Sequence, residues 1–331
     1  MVGFRSTLMA AAFALLGLQG PATAQQPAPS GSLRIVLVSA LPSLDPVVST
    51  SAIVRNHGFM VYDQLFGLDS QGVARPQMVD RHEASADGMS HRFTLREGLA
   101  FHDGQPVRAA DAVASIRRWG QRDIAGRALL AATAALEVVD ERTFTLRLSR
   151  PFGLVTEALA RSTASALFIM PERIANTPAN TNITDATGSG PFIFRQQEFL
   201  PGERAIYVRN PAYRPRSEPA DGLAGGKVVM LERIEWLGIS DPATQAAALQ
   251  SGEIDFIEQP SPDVMPVLQR NRNIRTFALN PVGSMVWLRP NHHIPPFNDP
   301  RARQALLHLV NQQENLQAIG VPPSEQVPYC P

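Results

Sequence analysis

Short apolar runs alternate with amphipathic stretches along this chain. Residues 33–38 read Leu-Arg-Ile-Val-Leu-Val, a β-branched run that predicts a strand buried on both faces. Residues 91–96 and 143–148 carry apolar side chains at alternate positions, which predicts two strands with one buried face each. Between them, residues 109–116 place apolar side chains at helical spacing. This spacing predicts an amphipathic helix.

Two further helices are indicated by the residues at their starts. Asp241-Pro242 and Asp299-Pro300 each put an N-cap acid before a proline at the first helical position. The first of these helices is predicted to end at Gly252 and to be followed by a strand at residues 254–257. Strands and helices interleave throughout, so the predicted fold class is α/β, or mixed α+β. The second helix is predicted to bury a stripe of Ala302, Ala305, Leu306 and Leu309.

The first 24 residues have the pattern of a secretory signal peptide. Arg5 precedes an apolar stretch at residues 8–18, and Ala22-Thr23-Ala24 forms an A-x-A cleavage site. The apolar stretch is shorter than the roughly 20 residues that a membrane-spanning helix needs. We therefore expect cleavage after Ala24, a disordered linker at residues 25–30, and a mature protein outside the cytoplasm.

Charge and residue usage exclude several classes of function. Thirty basic residues balance thirty acidic ones, so nucleic acid is not an expected partner. Lys227 is the only lysine and lacks the spacing of a phosphate-binding loop, which argues against phosphate-loop and Schiff-base chemistry. Cys330 is the only cysteine, so no internal disulfide is expected.

Candidate catalytic and metal-binding patterns are weak. His82-Glu83 lacks the second histidine of a zinc-protease motif. Gly188-Ser189-Gly190 is shorter than the G-x-S-x-G nucleophile elbow, and it fits a structural turn or a ligand-facing loop. His292-His293 would bind a transition metal only in a loop, because adjacent side chains otherwise point apart. We therefore expect no enzyme activity, no resident metal and no cofactor.

Four segments resemble the extracellular solute-binding proteins of ABC transporters, peptide/nickel type. This family includes proteins that bind oligopeptides, dipeptides, glutathione, haem and nickel. The most specific segment contains Phe-Thr-Leu-Arg-Glu-Gly-Leu at residues 93–99, followed by Phe-His-Asp-Gly at residues 101–104. The four segments are residues 31–46, 62–117, 188–213 and 252–306.

The resemblance implies a periplasmic-binding-protein-like, two-lobed clamp that closes on its ligand by hinge bending. By position, residues 31–52 and 166–280 correspond to the core of the first lobe. Residues 53–165 correspond to an inserted subdomain. Residues 281–331 correspond to the start of the second lobe, so the chain is expected to be C-terminally truncated and that lobe incomplete.

The same resemblance implies which residues contact the ligand. The cleft-lining segment after the first strand matches residues 39–43, although Ala40 replaces an acidic residue that oligopeptide binders have there. The implied partners are a peptide and an inner-membrane permease, and the expected state is a monomer. Nickel, haem or a sugar remains an alternative ligand; a secreted hydrolase, or a fragment without function, is the alternative of another class. The implied ligand-binding residues are Ser39, Ala40, Leu41, Pro42, Ser43 and Trp287. Residues 39–43 also fit a plain connection between a strand and a loop, and Trp287 also fits a buried position in the core.

Overall fold

Three β-sheets and a set of short helices form the described part of the chain. The structure, a computed structural model, describes residues 31–163, 165–279 and 288–321. The strands are β1 (Ser32–Val36), β2 (Phe66–Leu68), β3 (Ala74–Pro76), β4 (Val79–Ala84), β5 (Ser90–Leu95), β6 (Thr133–Val138), β7 (Thr143–Leu148), β8 (Phe192–Phe194), β9 (Arg204–Arg209), β10 (Arg233–Leu237) and β11 (Phe256–Ile257). The helices are α1 (Ala52–Val61), α2 (Ala109–Trp119), α3 (Ile124–Ala132), α4 (Val155–Leu159), α5 (Glu172–Ala175), α6 (Pro242–Ser251), α7 (Met265–Arg270), α8 (Pro300–Leu309) and α9 (Gln312–Ala318).

A five-stranded mixed sheet brings distant parts of the sequence together. Its order is β11-β1-β10-β9-β8. β1 pairs in parallel with both β10 and β11, whereas β9 runs antiparallel to β10. The carboxyl ends of β1, β10 and β11 therefore meet at one edge, together with the amino end of β9. Ligands of open α/β sheets commonly bind outside the carboxyl ends of the strands.

A four-stranded antiparallel sheet, β4-β5-β7-β6, forms a second core with α2. The predicted alternation is confirmed in β5, where Phe93 and Leu95 are buried and the intervening Thr94 is partly exposed. Phe93 and Phe144 stack across the sheet with ring centroids 5.0 Å apart. The apolar face of α2, including Ile116, belongs to the same core. The boundaries of the inserted subdomain, residues 53–165, remain a prediction.

A buried ion pair joins the loop after β1 to α2. The Asp45 and Arg118 side chains are 0% and 2% exposed. Two hydrogen bonds of 2.7 and 3.1 Å connect the guanidinium to the carboxylate. Arg118 also donates to the backbone carbonyls of Thr177 and Thr181, and the backbone N–H of Ile183 donates to Asp45. The Arg118 guanidinium and the Asp45 carboxylate thus form their hydrogen bonds with other groups of the protein.

The Gly188-Ser189-Gly190 segment packs directly against the backbone at the end of α1. The Gly190 N–H donates to the Val61 carbonyl at 2.8 Å, and the Gly188 carbonyl accepts from the His102 N–H at 2.8 Å. A Cβ at Gly188 would lie 2.0 Å from the Val61 carbonyl oxygen. Glycine is needed here because no side chain fits between the two backbones. The segment therefore has a structural role in this junction.

The helix predicted after Asp299 forms, but its apolar stripe is not buried. Asp299 accepts from the Arg301 N–H at 2.8 Å, as the N-cap prediction requires. No residue of α8 is buried among the described residues, and Leu309 remains 77% exposed. The predicted burial of the stripe is wrong because an amphipathic helix buries its apolar face only against a partner element. Ala302 and Leu306 are only partly buried, and Ala305 and Leu309 are exposed.

Several predicted features fall outside the described residues. They are the signal peptide at residues 1–24, the linker at residues 25–30, Trp287 and Cys330. Within the described ranges, the helices are all too short or too polar to cross a lipid bilayer.

Candidate ligand-binding site

The five predicted cleft residues after β1 lie at the carboxyl-end edge of the five-stranded sheet. Ser39, Ala40 and Pro42 are exposed, whereas Leu41 is buried and Ser43 is partly buried. Leu41 packs into the core of the five-stranded sheet. This apolar anchor holds the segment in place while its neighbours face outward. The segment is therefore accessible to a ligand without being detached from the fold.

A shallow depression beside this segment is open to solvent, and its cavity volume is about 10 Å³. One wall is formed by the segment after β1, and the opposite wall by the turn that leads into β9. The end of β10 lies between them. The lining residues are Leu37, Ser39, Ala40, Leu41, Phe199, Leu200, Gly202, Glu203, Arg204, Ala205, Trp236, Leu237 and Gly238.

Two backbones approach closely at the base of the depression. The Gly238 N–H donates to the Glu203 carbonyl at 2.7 Å. A Cβ at Gly238 would lie 2.0 Å from the Gly202 carbonyl oxygen. Only glycine allows the turn before β9 to approach the end of β10 this closely. This contact fixes the distance between the turn and the β10 end.

Several polar groups at this edge already form hydrogen bonds within the protein. The Val38 N–H donates to Glu258 at 3.1 Å. The Ser43 hydroxyl donates to Asn182 at 3.2 Å and accepts from the Asp45 N–H at 3.1 Å. Ser43 is therefore used within the protein. Ser39, Ala40 and Pro42 are the more accessible of the five predicted residues.

Arg204 and Gly238 were missed by the sequence reasoning. Arg204 begins β9 and pairs with Leu237 at the end of β10, which brings it to the depression. Pro201-Gly202 was a visible signal for the turn before β9. That turn lies beside the end of β1 because β1 pairs with β10 and β10 pairs with β9. About 170 residues separate Ser32 from Arg204 in the sequence. No local pattern predicts pairing over this distance.

The buried histidines have structural environments. His57 is fully buried, and its Nδ1 lies 3.0 Å from the Tyr207 hydroxyl. Burial lowers the pKa of His57 to about 3, so the ring is neutral at physiological pH. His82 Nε2 lies 3.0 Å from His91 Nδ1, and burial together with the adjacent His91 lowers the pKa of His82. Within the described ranges, no three or more His, Cys, Asp or Glu side chains are grouped to hold a metal ion.

Comparison with known proteins identifies the family. Residues 74–327 match the bacterial extracellular solute-binding proteins, family 5, middle region. The chain belongs to this family. It is 44% identical over 280 residues to a Sinorhizobium fredii (strain NBRC 101917 / NGR234) protein named "Probable peptide ABC transporter periplasmic-binding protein y4tO", a match that covers 84% of this chain and 52% of that protein. It is 25% identical over 283 residues to the glutathione-binding protein GsiB of Escherichia coli O6:K15:H31 (strain 536 / UPEC), covering 84% and 52%.

Solved structures of family 5 proteins share the fold. The oligopeptide-binding protein AppA from Bacillus subtilis, in complex with a nonapeptide, aligns with a TM-score of 0.69 at 20% identity, over 87% of this chain and 55% of AppA. NikA from Brucella suis, in complex with Fe(III)-EDTA, aligns with a TM-score of 0.65 at 25% identity, over 88% and 56%. The fold is the mixed α/β fold of two-lobed periplasmic binding proteins. The matched proteins bind solutes and are not enzymes, and the chain spans about half the length of the curated relatives it matches.

Proposed function

We propose that this family 5 chain contributes the first lobe of a periplasmic solute-binding protein that captures a peptide and delivers it to an inner-membrane ABC permease. The observation that carries the proposal is the open depression beside Ser39 and Ala40, at the edge where the parallel strands end. The 44% identity to a protein named for peptide transport favours a peptide over other solutes.

The proposed division of the chain follows the same assignment. Residues 31–52 and 166–280 make the core of the first lobe, and residues 53–165 make an inserted subdomain. Residues 281–331 begin the second lobe. Ser39, Ala40, Leu41, Pro42 and Ser43 contact the ligand from the first lobe, and Trp287 contacts it from the second.

Peptide capture fits the physical character of the depression. Phe199 and Leu200 offer apolar surface, while the segment after β1 offers the exposed residues Ser39 and Ala40. An extended peptide is held by main-chain hydrogen bonds, with pockets for alternate side chains. Micromolar binding needs about 8 kcal/mol, and hydrogen bonds contribute roughly 0.5–1.5 kcal/mol each. One wall of a clamp cannot supply that total, so tight binding requires closure of two lobes.

A thermal-shift screen tests the proposal against the nickel, haem and sugar alternatives. We expect a tripeptide such as Ala-Ala-Ala to raise the Tm of the chain, because a ligand that binds only the native state stabilises it. At a concentration of about ten times Kd, the stabilisation is about 1.4 kcal/mol. For a protein of this size, that corresponds to a rise of about 3 °C. Nickel–histidine, haemin and a disaccharide are measured in parallel.

Two matched variants test whether the peptide-induced rise in Tm comes from binding at the depression. Ala40→Trp puts a bulky side chain at the depression and should abolish the peptide-induced shift. Ala84→Trp alters another exposed alanine, at the end of β4, and should leave the shift unchanged. A Tm that rises with nickel–histidine, haemin or the disaccharide and not with peptides would contradict peptide capture.

A further inference from the structure

Arg204 occupies a distinctive position in the depression. It is the first residue of β9 and pairs with Leu237, the last residue of β10. Its side chain is partly buried and lines the depression together with Ser39 and Ala40. The residue therefore stands opposite the segment proposed to contact the ligand.

One donor of the Arg204 guanidinium is unsatisfied within the described residues. Its Nε is buried and has no hydrogen-bond partner there. Other arginines of the same sheet are paired: Arg209 with Glu232 at 3.0 Å, and Arg233 with Glu235 at 2.7 Å. A buried donor left without a partner is destabilising. Such groups are uncommon in native proteins, and they are often explained by a functional role.

We propose that Arg204 binds a carboxylate group of the captured ligand, an inference that rests on the proposed capture function. A guanidinium presents parallel N–H donors that match the two oxygens of a carboxylate. Partial burial strengthens this interaction because it limits competition from water. The carboxylate would neutralise the positive charge of the guanidinium. Either the C-terminus of a peptide or an acidic side chain could supply the group.

Glu203 is the neighbouring carboxylate that could pair with Arg204 in place of a ligand. It lines the same depression and is exposed. No ion pair joins Glu203 to Arg204 in the described part of the chain, so the guanidinium is available to an incoming carboxylate. A negative charge at Glu203 would favour a ligand that also carries a positive charge.

Affinity measurements with three peptides test the proposal. The probes are Ala-Ala-Ala, its C-terminal amide, and the amide of Ala-Asp-Ala, each titrated by calorimetry. We expect the free acid to bind roughly ten- to a hundredfold more tightly than its amide, as for a hydrogen bond to a charged group. Arg204→Gln should remove this preference. Arg209→Gln, at the far end of β9, should retain it. If Ala-Asp-Ala amide matches the free acid, a side-chain carboxylate also satisfies the site.

A second measurement separates failure of this inference from failure of peptide capture. The Arg204 Nε–Hε resonance is followed by NMR in the unmodified chain during titration with acetate. We expect a saturable shift for Arg204 and none for Arg209, whether or not any peptide binds. An unperturbed Arg204 resonance, or an acid-over-amide preference that survives Arg204→Gln, overturns the assignment. Absence of peptide binding with a saturable acetate shift would reject peptide capture and retain the carboxylate site.

Discussion

Replacing Asp45 with alanine is expected to lower the free energy of unfolding by about 3–5 kcal/mol, because it leaves the Arg118 charge buried without its partner. Arg118 is 2% exposed and makes two hydrogen bonds to the Asp45 carboxylate. Its remaining acceptors, the carbonyls of Thr177 and Thr181, are neutral and cannot replace a negative charge. Urea unfolding followed by circular dichroism measures the change.

Two comparisons identify burial as the cause. Glu137→Ala breaks the exposed pair between Glu137 and Arg147 and should cost no more than about 1 kcal/mol. The double variant Asp45→Leu/Arg118→Met removes both charges and should recover much of the lost stability, because replacing both partners with apolar groups is often close to neutral. A loss below 1 kcal/mol for Asp45→Ala would show that this ion pair does not hold α2 to the loop after β1.

Acidification from pH 6.5 to pH 4 is expected to remove about 3 kcal/mol of stability through His57 alone. The folded-state pKa of His57 is about 3 because the ring is buried, whereas an unfolded histidine titrates near pH 6.5. The unfolded chain therefore binds a proton that the folded chain excludes. This stability is fully present above pH 6.5 and declines as the pH falls towards 3.

His57→Phe isolates this contribution from the titration of the carboxylates. The variant loses the contact with Tyr207, which lowers its stability by an amount that does not depend on pH in this range. Its free energy of unfolding should then decline about 3 kcal/mol less than the wild type between pH 6.5 and pH 4. His293→Phe, at an exposed position, should keep the wild-type dependence. Parallel curves for wild type and His57→Phe would contradict a neutral buried ring.

Local patterns predicted the individual elements well. The strand predicted at residues 143–148 has the same bounds as β7 (Thr143–Leu148). Asp241 caps α6 by accepting from the Thr244 N–H at 2.7 Å, and Gly252 ends that helix with a left-handed backbone, φ 76°. Alternation, N-caps and C-terminal glycines were visible because each depends on residues within a few positions of one another.

Features that depend on distant residues could not be predicted in this way. Arg118 lies on α2 between Arg117 and Trp119, and nothing near it in sequence marks its burial against Asp45, 73 residues away. The depression depends on β1 pairing with β10 and on the close approach of Gly202 and Gly238. The family resemblance pointed to residues 39–43 as ligand contacts, but only the three-dimensional arrangement places Arg204 opposite them.

Photo-crosslinking with a tripeptide that carries a benzophenone side chain tests directly whether the edge at the ends of β1 and β10 receives the ligand. A covalent adduct records even weak binding, and mass spectrometry of the digested chain locates it. We expect saturable labelling on residues 37–43 and 199–205, which unlabelled Ala-Ala-Ala should suppress by competition. Labelling confined to the four-stranded sheet, or labelling that neither saturates nor yields to competition, would show that this edge is not where the protein holds its solute.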